Sequence, residues 1–77
     1  MSRKIDTKDQ WNEFYVKKGR YLEELSQNHY LNKEYKKVLE LLSQAYNMYK
    51  KGNAIELADK AKEKFNEIKS KHFKKKE

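Results

Sequence analysis

"SQNHYLN", residues 26–32, decides whether this chain folds as two helices or three. It lies between two amphipathic stretches. Carrying the apolar stripe of the first stretch forward from Leu25 would put His29 and Asn32 where core residues belong. Serine, asparagine and histidine are poor helix-interior residues, and Asn32 is a good N-cap. The segment therefore reads as a corner. Without proline or glycine to enforce a turn, the competing reading is one unbroken helix over 8–51, more than ~60 Å long at about 1.5 Å per residue, with a C-terminal helix packed back on it.

Upstream of that corner a helix is expected over about 8–27. Thr7 and Gln10 stand at capping-box spacing, with Asp6 as the other candidate cap. Trp11, Phe14, Tyr15, Leu22 and Leu25 fall on one face at helical period, and the stem of Lys18 fills the gap. This face is expected to meet the core, with Gly19 a tolerated weak point. Downstream, a second helix over about 33–51 shows Tyr35, Val38, Leu39, Leu42, Ala45, Tyr46 and Tyr49 on one face, widened by Leu41 and Met48. A face that broad touches two neighbours, so this helix reads as the centre of the core.

The second corner is "KKGN", residues 50–53. Gly52 is expected to take the left-handed conformation that ends a helix, and Lys50 and Lys51 complement the helix dipole. Asn53 with Glu56 is expected to cap a third helix over about 54–71. Its face is Leu57, Ala58, Ala61, Phe65 and Ile68, the two alanines implying close approach to the second helix. A phosphate-binding loop would require more glycines and a preceding strand. The fold class that follows is all-α, a small antiparallel three-helix bundle in a single domain spanning 1–77, with flexible basic ends at 1–6 and 70–77.

Composition sets the limits on function. The chain has 77 residues, 36% hydrophobic and 40% charged, so the core is small. Ten aromatics at regular spacing argue against disorder. Cysteine is absent, which removes disulfides and thiolate chemistry. No apolar run reaches the ~18 residues of a membrane span and no secretory signal is legible, so a cytosolic location is expected. His29 and His72 have no partners at metal-ligand spacing, and no serine sits in a nucleophile context. No catalytic residue, cofactor or metal is expected, and nothing argues for an enzyme.

The formal charge of +7 is concentrated at the ends. Residues 1–20 hold six basic and three acidic side chains, 21–68 hold eight of each, and 69–77 hold five lysines and one glutamate. Arg3, Lys4, Lys17, Lys18 and Arg20 with Lys69, Lys71, Lys74, Lys75 and Lys76 are accordingly the nucleic-acid candidates, through phosphate contacts. In an up-down-up bundle Lys17, Lys18 and Arg20 are expected toward the pole that the tail reaches, and Arg3 and Lys4 away from it. A groove-reading helix is not expected, because Asp59, Glu63 and Glu67 run along the third helix and would face phosphates. Among the tyrosines, Tyr35, Tyr46 and Tyr49 are expected to edge the core with hydroxyls in water. Tyr21 and Tyr30 fit the core face less well and are the protein-interface candidates.

Residues 38–72, "VLELLSQAYNMYKKGNAIELADKAKEKFNEIKSKH", resemble the helix–corner–helix portion of the enterocin A-type bacteriocin immunity proteins. That resemblance implies a basic, cysteine-free cytosolic bundle that binds a protein partner at a membrane receptor, although that family's bundle has four helices. "AYNMYKKGNAIELA" is similar to tetratricopeptide hairpins, yet no second copy follows at a 34-residue period. No site residue is carried over from either family. The expected function is a small non-catalytic accessory module that binds another protein. The alternatives are a nucleic-acid-associated protein using the basic ends, an immunity-like protein, and a self-assembling helical dimer.

Overall fold

The computed structural model describes residues 7–73. They form three helices, α1 (Thr7–Leu31), α2 (Tyr35–Lys51) and α3 (Ile55–His72), in up-down-up order. α2 packs against both α1 and α3 and is the central element, as its broad apolar face predicts. The expected basic ends at 1–6 and 74–77 lie outside the described residues. Ser70, Lys71 and His72, also expected in a flexible end, belong to α3, where His72 stacks on Tyr35 at 3.8 Å between ring centroids.

The chain does break between the first two helices, but later than 26–32. α1 continues through Leu31, and the corner is Asn32, Lys33 and Glu34. Ser26 faces inward, 4% exposed, and its hydroxyl donates back to the Glu23 carbonyl at 2.6 Å. That local bond satisfies a polar side chain that is otherwise a poor helix-interior residue. Asn32 is not a cap. The residue before α2 is Glu34, which makes no side-chain capping bond.

Both corners are built the same way. At the first, Lys33 N–H bonds the Tyr30 carbonyl and Glu34 N–H bonds the His29 carbonyl, with Lys33 at φ 63°. At the second, Asn53 N–H bonds the Lys50 carbonyl and Ala54 N–H bonds the Tyr49 carbonyl, with Asn53 at φ 62°. Each pair is a Schellman motif, which uses one left-handed residue to satisfy the free carbonyls of the preceding helix. The left-handed residue of the second corner is thus Asn53 and not Gly52, whose φ is −86°. Nor do Asn53 and Glu56 cap α3: the residue before it is Ala54, without a side-chain bond.

Gly52 is needed for room instead. A Cβ there would stand 2.8 Å from the Asn12 carbonyl oxygen and 3.1 Å from Tyr15 Cβ, so the corner sits directly on the first turns of α1. Gly19 has the same role mid-helix. Its Cβ would stand 2.6 Å from Tyr49 Cε1, so the glycine is a seat for the Tyr49 ring rather than a weak point.

The buried core comprises Leu22, Val38, Leu41, Leu42, Ala45, Tyr49, Ala58 and Ala61, and Val16, Leu25, Tyr46, Met48, Ala54 and Leu57 pack against it. Ala58 and Ala61 are fully buried, which is the close α2–α3 approach their size implies. Tyr49 departs from expectation, being 0% exposed with its hydroxyl inside the bundle.

Two substitutions test this geometry by denaturant unfolding. Lys33→Gly relieves a left-handed lysine and is expected to stabilise by about 1 kcal/mol. Gly19→Ala would stabilise an ordinary exposed helix by about 1 kcal/mol. Here it is expected to destabilise by roughly 1–3 kcal/mol, the usual cost of overpacking, because a fully buried ring cannot yield.

Candidate binding surface

The polar centre of the bundle is organised by Glu23. Its carboxylate accepts a hydrogen bond from the Tyr49 hydroxyl at 2.7 Å and meets Lys64 Nζ at 3.6 Å. One side chain of α1 therefore ties α2 and α3 together. Burial, the hydrogen bond to Glu23 and the carboxylate's charge, in that order, raise the Tyr49 pKa well above its ordinary value of 10.0. Among the described residues no group of three histidine or carboxylate side chains is placed to hold a metal ion.

A second cluster closes the opposite pole. Tyr30 meets Tyr35 edge-on at 5.4 Å and meets His72 at 5.7 Å, while its hydroxyl lies 3.4 Å from His72 Nε2. His29 Nδ1 pairs with Glu34 across the adjacent corner. Tyr30 is thus half-buried and occupied within the molecule. Its ring and hydroxyl are engaged within the molecule, and it gives the otherwise isolated His72 a partner. Tyr21 is different, 58% exposed, and remains where an interface residue can act.

The first half of α1 holds the larger surprise. Trp11 and Phe14, expected to face the core, are 57% and 50% exposed. The buried side of α1 is instead Gly19, Leu22 and Ser26, with Tyr15, Val16 and Leu25 half-buried beside it. At 100° per residue the two sets lie roughly a quarter of a turn apart. α1 carries two apolar faces, and the intramolecular neighbours cover only the one marked by small residues. The uncovered face is a stripe, Trp11, Phe14, Lys18 and Tyr21, at 3-4-3 spacing, which runs on to half-buried Leu25 at its border with the core.

The outer end of the stripe is reinforced by ring contacts. Trp11 meets Phe14 perpendicularly at 5.8 Å, Phe14 meets Tyr15 at 5.4 Å, and Lys51 Nζ lies 5.8 Å from the Tyr15 ring. Three half-exposed aromatics on one helix face put about 300 Å² of mainly apolar surface in water, the size of a patch that usually has a partner. Gly19 and Ser26, seven residues apart, are the signal that separates the faces in sequence, since backbones approach most closely over small residues.

The cationic candidates do not converge. Gly19 packs on Tyr49, so Lys17, Lys18 and Arg20 sit at the level of the second corner. Lys69 and Lys71 flank His72 at the first. Thirteen residues of α1 separate Lys18 from Leu31, about 20 Å of axial distance. The expectation that Lys17, Lys18 and Arg20 lie toward the tail is therefore corrected. α1 runs four residues past its expected end at 27, to Leu31, which leaves Lys17, Lys18 and Arg20 nearer the other corner. Lys74, Lys75, Lys76, Arg3 and Lys4 lie outside the described residues.

Among the described residues no helix is long and apolar enough to cross a membrane. No protein-family model, curated protein or solved structure matches the chain.

The wiring at Glu23 makes a pH prediction. Because the folded Tyr49 pKa is raised, its contribution to stability is complete below pH 10.0 and is lost as pH climbs past that value and the unfolded tyrosine ionises. Tyr49→Phe is expected to cost about 1–2 kcal/mol near neutrality and to flatten the alkaline fall, both read from melting curves across pH 7–11.

Proposed function

We propose that this protein is a non-catalytic helical binding module acting through protein–protein interaction, with the outer face of α1 as its contact surface. The observation that supports it is the stripe of exposed Trp11, Phe14 and Tyr21 on one side of a helix. Tryptophan and tyrosine are the residue types enriched at interface hot spots, where each buried ring contributes large area at low entropy cost. A cytosolic accessory role accords with a small, strongly charged chain without cysteine.

A nucleic-acid-associated role through Lys17, Lys18, Arg20, Lys69, Lys71 and Lys74 to Lys76 has weaker support, because its described members are split between the two poles. An immunity-like role has only the hairpin resemblance behind it.

The test separates contact from folding. Trp11→Ala and Tyr21→Ala are expected to leave helicity and melting temperature nearly unchanged while reducing partner binding at least tenfold, as hot-spot truncations do. Unchanged binding in both variants would refute the proposed surface. Oligonucleotide binding whose logarithm falls steeply with log salt would instead favour phosphate contacts, at a slope of about −0.9 per contact on duplex.

A further inference from the structure

We infer that the outer stripe of α1 is a self-association seam, on which a second copy of this chain packs its own α1 in antiparallel orientation. This rests on the protein-binding reading above and names the partner.

The spacing of Trp11, Phe14, Lys18, Tyr21 and Leu25, continued by exposed Asn28, is the alternating three-and-four step of a two-stranded coiled coil. In register, an antiparallel pair has its two-fold axis between Gly19 and Arg20. Phe14 then lies opposite Leu25 of the second copy, and Lys18 opposite Tyr21, each layer occurring twice. A lysine ammonium over a tyrosine ring is attractive once water is excluded. Beside this core the same register sets Lys17 opposite Glu24 of the second copy, again twice, so the flanking charges are complementary across the axis.

The parallel arrangement lacks all of these features. It would place Lys18 against Lys18 at the centre of the seam. It would also point Lys17 at Leu22, which is buried within its own bundle at 7% exposure. Lys18 at a seam position, a liability for a parallel pair, thus selects the antiparallel one. Trp11, Phe14, Lys18 and Tyr21 are exposed beside the α1 face that packs in the bundle, with half-buried Leu25 at the border, so pairing along them requires no rearrangement of the bundle.

Sedimentation equilibrium of the full chain, from about 1 to 200 μM, reads the association directly, and the emission of Trp11, the sole tryptophan, reports burial at the end of the seam. The wild type is expected to dimerise within that range with a blue shift. Lys17→Glu alone and Glu24→Lys alone each set like charges opposite one another twice and should weaken association roughly tenfold. The double variant Lys17→Glu/Glu24→Lys restores opposite charges and should recover wild-type affinity to within about threefold. Phe14→Asp, at a half-exposed position, should abolish dimerisation with circular dichroism unchanged. A chain that stays monomeric throughout overturns the self-association, while the partner-binding assay of Trp11→Ala and Tyr21→Ala still judges the stripe as a surface for a different protein. A dimer in which the double swap fails to recover overturns the antiparallel register.

Discussion

The seating of Tyr49 on Gly19 holds this molecule in its arrangement. A fully buried tyrosine needs both a space for its ring and an acceptor for its hydroxyl, and α1 supplies the two one helical turn apart, in Gly19 and Glu23. Burying the hydroxyl without an acceptor would cost several kcal/mol on a hydrocarbon reference, so the register of α1 on α2 is fixed by chemistry as well as by shape. Lys64 on the far oxygen of Glu23 extends the same constraint to α3. In a bundle with this few large core residues, one polar bond in a set place specifies alignment that apolar packing alone would leave loose.

Once that register is set, the rest of the surface follows. Gly52 lands on Asn12 and Tyr15, the first half of α1 runs alongside the α2–α3 corner, and Trp11 and Phe14 are turned to the side of α1 that the corner does not cover. The exposed stripe is a consequence of where Tyr49 sits. Had α1 been rotated to bury Trp11 and Phe14, Gly19 would have faced water and the Tyr49 ring would have had no seat.

The class and order of the elements were legible because three apolar repeats of helical period are hard to mistake, and α2 was recognisable as central from the breadth of its face. The finer errors share a physical origin. Ser26, His29 and Asn32 were read as interrupting the helix, but the burial of Ser26 and the Schellman bonds at Lys33 override propensity over a single turn. Gly52 and Gly19 were read for backbone freedom when each is required for lack of a Cβ. Trp11 and Phe14 were assigned inward because they share a helical period with Tyr15, Leu22 and Leu25, and only the pairing of Gly19 with Ser26 shows which side α2 takes. Tyr30 could not be placed from sequence, since its partners Tyr35 and His72 come together only in the closed bundle. Tyr21 fitted no core stripe in the sequence, and the structure leaves it in water.

The two three-residue corners also bear on time. With every contact made between a helix and the one next to it in sequence, or between two arms folded back on α2, the chain closes only short loops before contacts begin to reward it. Such topologies have low contact order and cross their folding barrier in microseconds to milliseconds. Because α2 belongs to both hairpins, assembly can start from either side of it and still converge on one product. A chain that folds this locally needs little assistance as it leaves the ribosome, since each hairpin can close as soon as its second helix has emerged.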